Sequence, residues 1–279
     1  MRDTAESYQS CEFIKTYALE LQIVQHCNLS CVGCAQSSPY VSGNDCLISI
    51  QRALSSLENV LRCSKLQILG GEPTLHEELD AILRTATASP IADSIVVKTN
   101  GLNLLKMSST FWELVDKVIV SVYPVTQRQI LRSRSSLEDL ALRHNVDLEF
   151  RSVSTFKHII KESATESTRL KQLVFDHCEY KTFCHSVRSG RFYRCSPSVN
   201  LADRMPDDLG PDLLDSVDLF EPDGLFNRLQ EFISSGHALR SCQYCLGSSG
   251  ATFPHRQMRR TDSRRYADLH ILRGAEHPC

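Results

Sequence analysis

The chain has 279 residues, 42% of them hydrophobic, which suffices for one domain with an appendage or for two small domains. Its formal charge of −2 excludes a general electrostatic attraction to nucleic acid or anionic membranes. The chain contains no apolar stretch of membrane-spanning length, and its polar first residues are unlike a signal peptide. Because twelve cysteines accompany no export signal, we expect a cytoplasmic protein with metal-bound cysteines, and neither a nucleic-acid nor a membrane partner.

Strand and helix patterns alternate from about residue 17 to about residue 153. The predicted elements are strands at 19–23, 65–69, 94–99, 118–122 and 146–150, with helical patterns at 47–61, 75–86 and 111–115. This alternation predicts an α/β fold in which right-handed crossovers connect the strands of a parallel sheet. Functional residues of such folds gather at the carboxyl ends of the strands.

Three cysteines with the spacing CxxxCxxC, Cys27, Cys31 and Cys34, follow the first predicted strand. A closed structural zinc site takes four protein ligands, so three thiolates leave one corner of a metal site open. The spacing therefore favours an iron–sulfur cube in which one iron is free to bind another molecule. The alternatives are a zinc site completed by His26 or Cys46, or three free thiols.

The segment Gly70-Gly71-Glu72-Pro73 comes directly after the second predicted strand. Two glycines at this position let the backbone approach a ligand closely, although the same four residues also form ordinary turns. Asn100 follows the third strand, and Ser121 lies in the fourth. We expect the Gly70–Pro73 segment, Asn100 and the cysteine loop to lie on one rim of the sheet.

Together these motifs resemble the radical S-adenosylmethionine (SAM) superfamily. The resemblance implies a partial (β/α)6 barrel and a [4Fe–4S] cluster on Cys27, Cys31 and Cys34 that binds SAM. It further implies that the Gly70–Pro73 segment contacts the methionine end of SAM, and that Asn100 and Ser121 contact its ribose and carboxylate. Many members carry an aromatic residue where this chain has Gly33, so Val32, Tyr40 or a side chain of the fifth strand would have to pack against adenine.

Polar residues share one face of the first predicted strand, Glu20, Gln22 and His26, and one face of the fifth, Asp147, Glu149 and Arg151. Buried parallel strands are usually apolar throughout, so these faces predict a polar, ligand-filled interior. Arg151 is a candidate partner for the SAM carboxylate or a substrate anion, since a guanidinium binds carboxylates through two hydrogen bonds. Its alternative is a surface ion pair with Glu149.

A second set of cysteines occupies the C-terminal half: Cys178, Cys195, Cys242 and Cys245. With Gly190, their spacing resembles the Twitch form of the SPASM extension, which implies a second, auxiliary [4Fe–4S] cluster; four thiolates also suit zinc. Cys184 is either a ligand in place of Cys178 or a hydrogen-atom donor to the substrate. The Gly/Ser-rich segment after Cys245 would allow His255, Gln257 and Arg259 to reach the substrate, whereas the arginines alone also fit an exposed basic tail.

The chain is thus predicted to divide into a barrel core, residues 1–160, and a region that completes the barrel and carries the auxiliary cluster, residues 161–279. Its layout resembles that of the butirosin-type inosamine dehydrogenases. The resemblance implies reductive cleavage of SAM to a 5′-deoxyadenosyl radical and abstraction of a substrate hydrogen atom, with electrons from a donor such as flavodoxin or ferredoxin. The expected substrate is a small polyhydroxylated metabolite of the sugar, cyclitol or aminoglycoside type, which is oxidised or epimerised. The alternatives are a peptide-modifying maturase and a non-catalytic zinc module.

Overall fold

The computed structural model describes residues 13–205 and 215–259, so Cys11 and Cys279 lie outside the described residues. The strands are β1 (Ile14–Val24), β2 (Leu61–Gly70), β3 (Ile95–Thr99), β4 (Lys117–Val122), β5 (Asp147–Ser152), β6 (Thr155–Lys157), β7 (His185–Arg188), β8 (Arg191–Tyr193), β9 (Ser216–Asp218) and β10 (Thr252–Pro254). The helices are α1 (Leu47–Leu57), α2 (Leu79–Ala88), α3 (Ser109–Leu114), α4 (Gln127–Arg143), α5 (Thr168–Asp176), α6 (Tyr180–Phe183), α7 (Ser196–Val199), α8 (Leu201–Arg204) and α9 (Leu225–Ser234).

A sheet of eight strands, in the order β5-β4-β3-β2-β1-β7-β8-β9, forms the centre of the fold. Strands β1 to β5 and β7 run parallel, and β8 and β9 add to the sheet antiparallel. The predicted α/β fold with a parallel-rich sheet is confirmed. The sixth parallel strand lies beside β1 rather than beyond β5, so strands from both sides of residue 160 belong to one sheet. Within the described residues β5 and β9 do not pair with each other, which leaves the barrel open.

The hydrophobic core lies between this sheet and the helices. Alternate residues of β1, among them Leu19, Leu21 and Ile23, are fully buried and pack with the apolar side of α1. Helix α1 ends at Leu57, four residues earlier than predicted, because Leu61 and Cys63 already follow the two-residue period of β2. Among residues 13–205 and 215–259, no helix is long and apolar enough to cross a membrane.

Candidate active site

A cavity of about 210 Å³ lies at the carboxyl ends of β1 to β4. Many of the residues singled out in the sequence line this cavity together: Cys27, Cys31, Cys34, Gly70, Gly71, Glu72, Asn100 and Ser121. Their positions follow from the parallel sheet, since Gly70 ends β2 and Asn100 directly follows β3. His26 and Cys46, the proposed fourth ligands of a zinc site, are not among the residues that line it.

Burial governs the protonation of the cysteine thiols. It raises the pKa of Cys27 to about 11 and that of Cys31 to about 12, so both are neutral thiols at pH 7 without a metal. Iron would reverse this state, because a coordinated thiol loses its proton. Within the described residues no three His, Cys, Asp or Glu side chains converge as they would on a single metal ion. The three cysteines instead surround a cavity, an arrangement that suits a cluster of several irons.

The glycine turn packs tightly against the end of β1 and the cysteine loop. The Gly71 amide donates to the Val24 carbonyl (2.7 Å), and the Glu72 amide donates to the His26 carbonyl (3.0 Å). A Cβ atom on Gly71 would lie only 2.0 Å from the His26 oxygen, next to Cys27. The two amides are thus occupied by the protein, and the carbonyl oxygens of the turn are the atoms suited to accept hydrogen bonds from an amino group.

The Glu72 carboxylate connects this turn to the end of β3. It is buried and accepts hydrogen bonds from the Thr74 amide and hydroxyl (3.2 and 2.6 Å), the Thr99 hydroxyl (2.6 Å) and the Asn100 amide (2.8 Å). Burial raises the pKa of Glu72, and these four donors act in the opposite direction. The neighbouring Pro73 is buried and begins a short 3₁₀ turn, Pro73–Leu75. Glu72 therefore acts as an internal clamp that holds the backbone around the cavity.

Asn100 and Ser121 hold the walls of the cavity. The Asn100 side-chain amide donates to Asn28 Oδ1 (2.7 Å) and lies 3.8 Å from Cys27 Sγ, which fixes the first half of the cysteine loop. Ser121 shares a hydrogen bond with Tyr123, whose pKa is raised mainly by burial. Their predicted contacts with the ribose and carboxylate of SAM remain predictions.

We expect Gly71→Ala to lose iron from the cysteine loop as well as affinity for SAM. The added Cβ must displace the His26 carbonyl, and the displacement passes directly to Cys27. Iron content and SAM binding by calorimetry measure the two effects. Gly236→Ala is the matched control, because a Cβ there meets nothing within 4 Å. A Gly71→Ala protein with full iron content and normal SAM affinity would contradict this expectation.

Aromatic side chains reach the cavity from an unexpected direction. Tyr123 and Phe156 line it, with ring centroids 5.8 Å apart, whereas Val32 and Tyr40 are not among the lining residues. Gly33 has φ +69°, and a Cβ there would lie 2.6 Å from the Phe253 ring. An aromatic side chain from the C-terminal segment thus fills the space beside Gly33. Sequence analysis missed Phe156, because its position depends on the pairing of β6 with β10, about a hundred residues apart.

Arg151 lies away from this cavity. It pairs with Ser121 in the register of β4 and β5, and so projects on the cavity side of the sheet, but β5 is an edge strand. Its side chain is 55% exposed and forms an ion pair of 2.7 Å with Glu149. In this structure Arg151 forms the surface ion pair that was the alternative to a contact with SAM, and it does not line the cavity.

The second set of cysteines surrounds a separate cavity. Cys178, Cys195, Cys242 and Cys245 line it together with apolar side chains, including Phe175 and Leu201. Burial raises the pKa of Cys242 to about 12 and that of Cys245 to about 11, and it raises the pKa of Cys195 well above its ordinary value. The structure therefore brings together the four cysteines that the sequence spacing singled out.

Cys184 is not among the residues that line this second cavity. It directly follows α6 and precedes β7. Its thiol lies within electrostatic reach of Glu20 and Lys98, which line the first cavity, and of Cys178, which lines the second, and Cys184 itself lines neither of these two cavities. Burial, followed by the nearby Glu20 carboxylate, raises the pKa of Cys184 to about 12. Cys184 is therefore a protonated thiol at neutral pH.

Comparison with known proteins gives partial sequence matches. No protein-family model matches the chain. The GTP 3′,8-cyclase of Lactiplantibacillus plantarum is 30% identical over 120 residues, which cover 41% of this chain and 36% of that protein. The GTP 3′,8-cyclase of Vibrio atlanticus is 27% identical over 106 residues, which cover 37% of this chain and 32% of that protein. The chain spans about a third of the length of these curated relatives.

Two solved structures share the fold over most of the chain. BtrN in complex with AdoMet and 2-DOIA has a TM-score of 0.54 at 16% identity, covering 86% of this chain and 96% of BtrN. Native anSMEcpe with bound AdoMet and a peptide has a TM-score of 0.51 at 15% identity, covering 83% of this chain and 89% of that chain. The partial sequence matches and the shared fold support the resemblance to the radical SAM superfamily that the cysteine and glycine motifs predicted.

Proposed function

We propose that this chain is a radical SAM enzyme that oxidises or epimerises a small polyhydroxylated metabolite. Cys27, Cys31 and Cys34 would hold a [4Fe–4S] cluster, and SAM would bind beside it in the same cavity. One observation carries the proposal: three cysteines and the glycine turn line one cavity at the carboxyl ends of the strands. When bound, the cluster and SAM supply a 5′-deoxyadenosyl radical that removes a hydrogen atom from the substrate.

The residues of the chain orient the reactants and limit access of water. Asn100 and Glu72 hold the cysteine loop and the glycine turn in place, as described above. Tyr123 and Phe156 offer an aromatic wall against which adenine packs. Such positioning is the main contribution of a protein to cofactor chemistry of this kind.

The lining of the cavity supports a small polar substrate. Glu20 is buried, forms an ion pair of 3.4 Å with Lys98, and accepts a hydrogen bond from the Ser186 hydroxyl (3.1 Å). Gln36 and Ser38 also line the cavity, and each has a buried oxygen without a hydrogen-bond partner in the described part of the chain. The carboxylate of Glu20, the ammonium group of Lys98 and the side-chain amide of Gln36 give this lining a polar character that suits the hydroxyl and amino groups of a substrate. The two fold neighbours were solved with different molecules, 2-DOIA for BtrN and a peptide for anSMEcpe, so the proposal rests on the lining of the cavity and not on the fold.

The second cavity supports an auxiliary [4Fe–4S] cluster on Cys178, Cys195, Cys242 and Cys245. Much of its lining is apolar, and burial in such surroundings shifts the potential of a cluster. An auxiliary cluster would receive the second electron in an oxidation of the substrate. A small electron-transfer protein such as flavodoxin or ferredoxin would supply electrons to the first cluster.

The surroundings of Cys184 favour epimerisation as the second candidate reaction. Transfer of a hydrogen atom to a substrate radical requires a neutral thiol, and burial keeps Cys184 protonated at neutral pH. Its neighbours Glu20 and Lys98 line the cavity in which the substrate would bind. In an epimerisation the Cys184 thiol would give a hydrogen atom to the substrate radical, whereas an oxidation would not need this thiol. The two reactions therefore differ in whether product formation depends on Cys184.

Reconstitution of the chain under anaerobic conditions tests the proposal. We expect about eight iron and eight sulfide ions per chain, the content of two [4Fe–4S] clusters, and formation of 5′-deoxyadenosine with dithionite and SAM. Deuterated cyclitols, amino sugars and short peptides would then be compared for deuterium transfer into 5′-deoxyadenosine. If deuterium were transferred only from a peptide, the proposed substrate would be a peptide and not a small metabolite. Stoichiometric zinc without iron would refute the proposal that the chain is a radical SAM enzyme.

A further inference from the structure

The C-terminal strap, residues 251–258, lies along the cysteine loop. At one end it is anchored to the β6 region: β10 pairs with β6, and the His255 amide donates to the Ser154 carbonyl (2.9 Å). At the other end it pairs with the loop itself. The Val32 amide donates to the Arg256 carbonyl (3.0 Å), and the Met258 amide donates to the Ser30 carbonyl (2.7 Å). These bonds place the strap directly beside Cys31, and the backbones of Cys31 and Gln257 form an antiparallel bridge.

Two side chains of the strap reach the same sulfur atom. Gln257 Nε2 and His255 Nε2 each lie 3.2 Å from Cys31 Sγ. Gln257 Oε1 accepts a hydrogen bond from the Ser30 amide (2.7 Å), so the amide group is oriented with its nitrogen towards the sulfur. The sequence allowed His255 and Gln257 to reach a substrate; in the structure both contact the Cys31 sulfur.

Packing holds the His255 ring in this orientation. The ring stacks on Tyr123 with centroids 4.8 Å apart and an interplanar angle of 20°, and it meets the edge of Phe156 at 4.9 Å. Both His255 and Cys31 are buried, whereas Cys27 and Cys34 are only partly buried. A hydrogen bond to sulfur in such a dry setting is stronger than one exposed to water.

We propose that His255 and Gln257 are positioning residues that donate hydrogen bonds to the Cys31 thiolate and raise the reduction potential of the cluster. The inference rests on the proposed [4Fe–4S] cluster. The reduced cluster carries one more negative charge than the oxidised cluster, and part of this charge lies on the thiolate sulfurs. Donors aimed at a sulfur therefore stabilise the reduced form more than the oxidised form. The strap thereby makes the cluster easier to reduce by a physiological electron donor.

Two substitutions remove one donor each without adding a charge. His255→Phe keeps a ring stacked on Tyr123 but lacks the N–H. Gln257→Leu removes the donor nitrogen and also the oxygen that accepts from the Ser30 amide, and it avoids the carboxylate of a glutamate, whose charge would itself lower the potential. His158→Phe is the matched control, because the His158 ring stacks on Phe253 (4.1 Å) and takes no part in the contacts to Cys31.

The measurement is a potentiometric titration of the holoenzyme followed by EPR, on the signal that changes when SAM is added. At a fixed potential we expect the ratio of reduced to oxidised cluster to be about tenfold lower in each variant than in the wild type. This corresponds to a midpoint potential lower by about 59 mV for a one-electron couple. The control should leave the midpoint unchanged. Iron content and the thermal melting curve of each variant are measured alongside.

Unchanged midpoints in variants that keep their iron would overturn the inference. If both variants lose the cluster, pulsed EPR on the wild-type holoenzyme labelled with ¹⁵N-histidine tests the inference instead. Absence of a coupling between a histidine nitrogen and the SAM-sensitive signal would then overturn the inference. Failure of the proposed function gives a different result, since the wild-type protein would then show no iron–sulfur signal at all.

Discussion

Replacement of Cys27, Cys31 and Cys34 by alanine is expected to abolish formation of 5′-deoxyadenosine and to remove about four of the roughly eight iron ions that the two proposed [4Fe–4S] clusters would hold. The three thiols are the cysteine ligands that the first cavity offers, so without them no cluster can hold SAM there. The remaining four iron ions should stay, because the second set of cysteines lines its own cavity. Iron and sulfide assays and chromatographic detection of 5′-deoxyadenosine under dithionite provide the measurements.

Cys46→Ala is the control for the triple variant. Cys46 directly precedes α1, is half-buried, and belongs to the lining of neither cavity, so its replacement should preserve both iron content and SAM cleavage. Continued formation of 5′-deoxyadenosine by the triple variant would remove the three cysteines from the site. Loss of all iron would contradict the separation of the two clusters.

The second prediction concerns Cys195 and Cys184. Cys195→Ala should lose the auxiliary iron and still cleave SAM, because the cysteine loop is untouched. In an oxidation, product formation should then fall far more than cleavage, because the second electron has no acceptor. Cys184→Ala should keep all of its iron, since Cys184 lies outside the second cavity. Iron content, 5′-deoxyadenosine and product are measured in parallel.

The same pair of variants separates the two candidate reactions. If Cys184→Ala abstracts deuterium from the substrate but forms no product, the thiol is the hydrogen donor and the enzyme is an epimerase. If Cys184→Ala turns over normally, oxidation is the better interpretation. Loss of auxiliary iron in Cys184→Ala, but not in Cys178→Ala, would overturn the ligand set that the second cavity supports.

Motifs at short spacing were readable from the sequence. The spacing of Cys27, Cys31 and Cys34 and the Gly70–Pro73 turn predicted the superfamily, and alternation of strand and helix patterns predicted the parallel sheet. The carboxyl ends of parallel strands meet at one edge, so the sequence order also predicted that these motifs lie together. Helix α4 was not predicted from the sequence, because few of its residues are buried and its apolar pattern is therefore weak. Its buried residues are Ile130, Leu137 and Ala141.

Contacts between distant parts of the chain were decided by the tertiary structure alone. The sequence left Arg151 as a candidate ligand for an anion, whereas the fold puts its strand at the edge of the sheet, where the side chain is exposed and pairs with Glu149. His255 and Gln257 meet Cys31 across more than two hundred residues of sequence, through backbone pairing of the strap with the cysteine loop. Spacing by itself reports neighbours within a turn or a loop, and the set from Cys178 to Cys245 was grouped only through its resemblance to a known extension. The packing of whole elements determines which distant side chains share a cavity, and that information became available only with the fold.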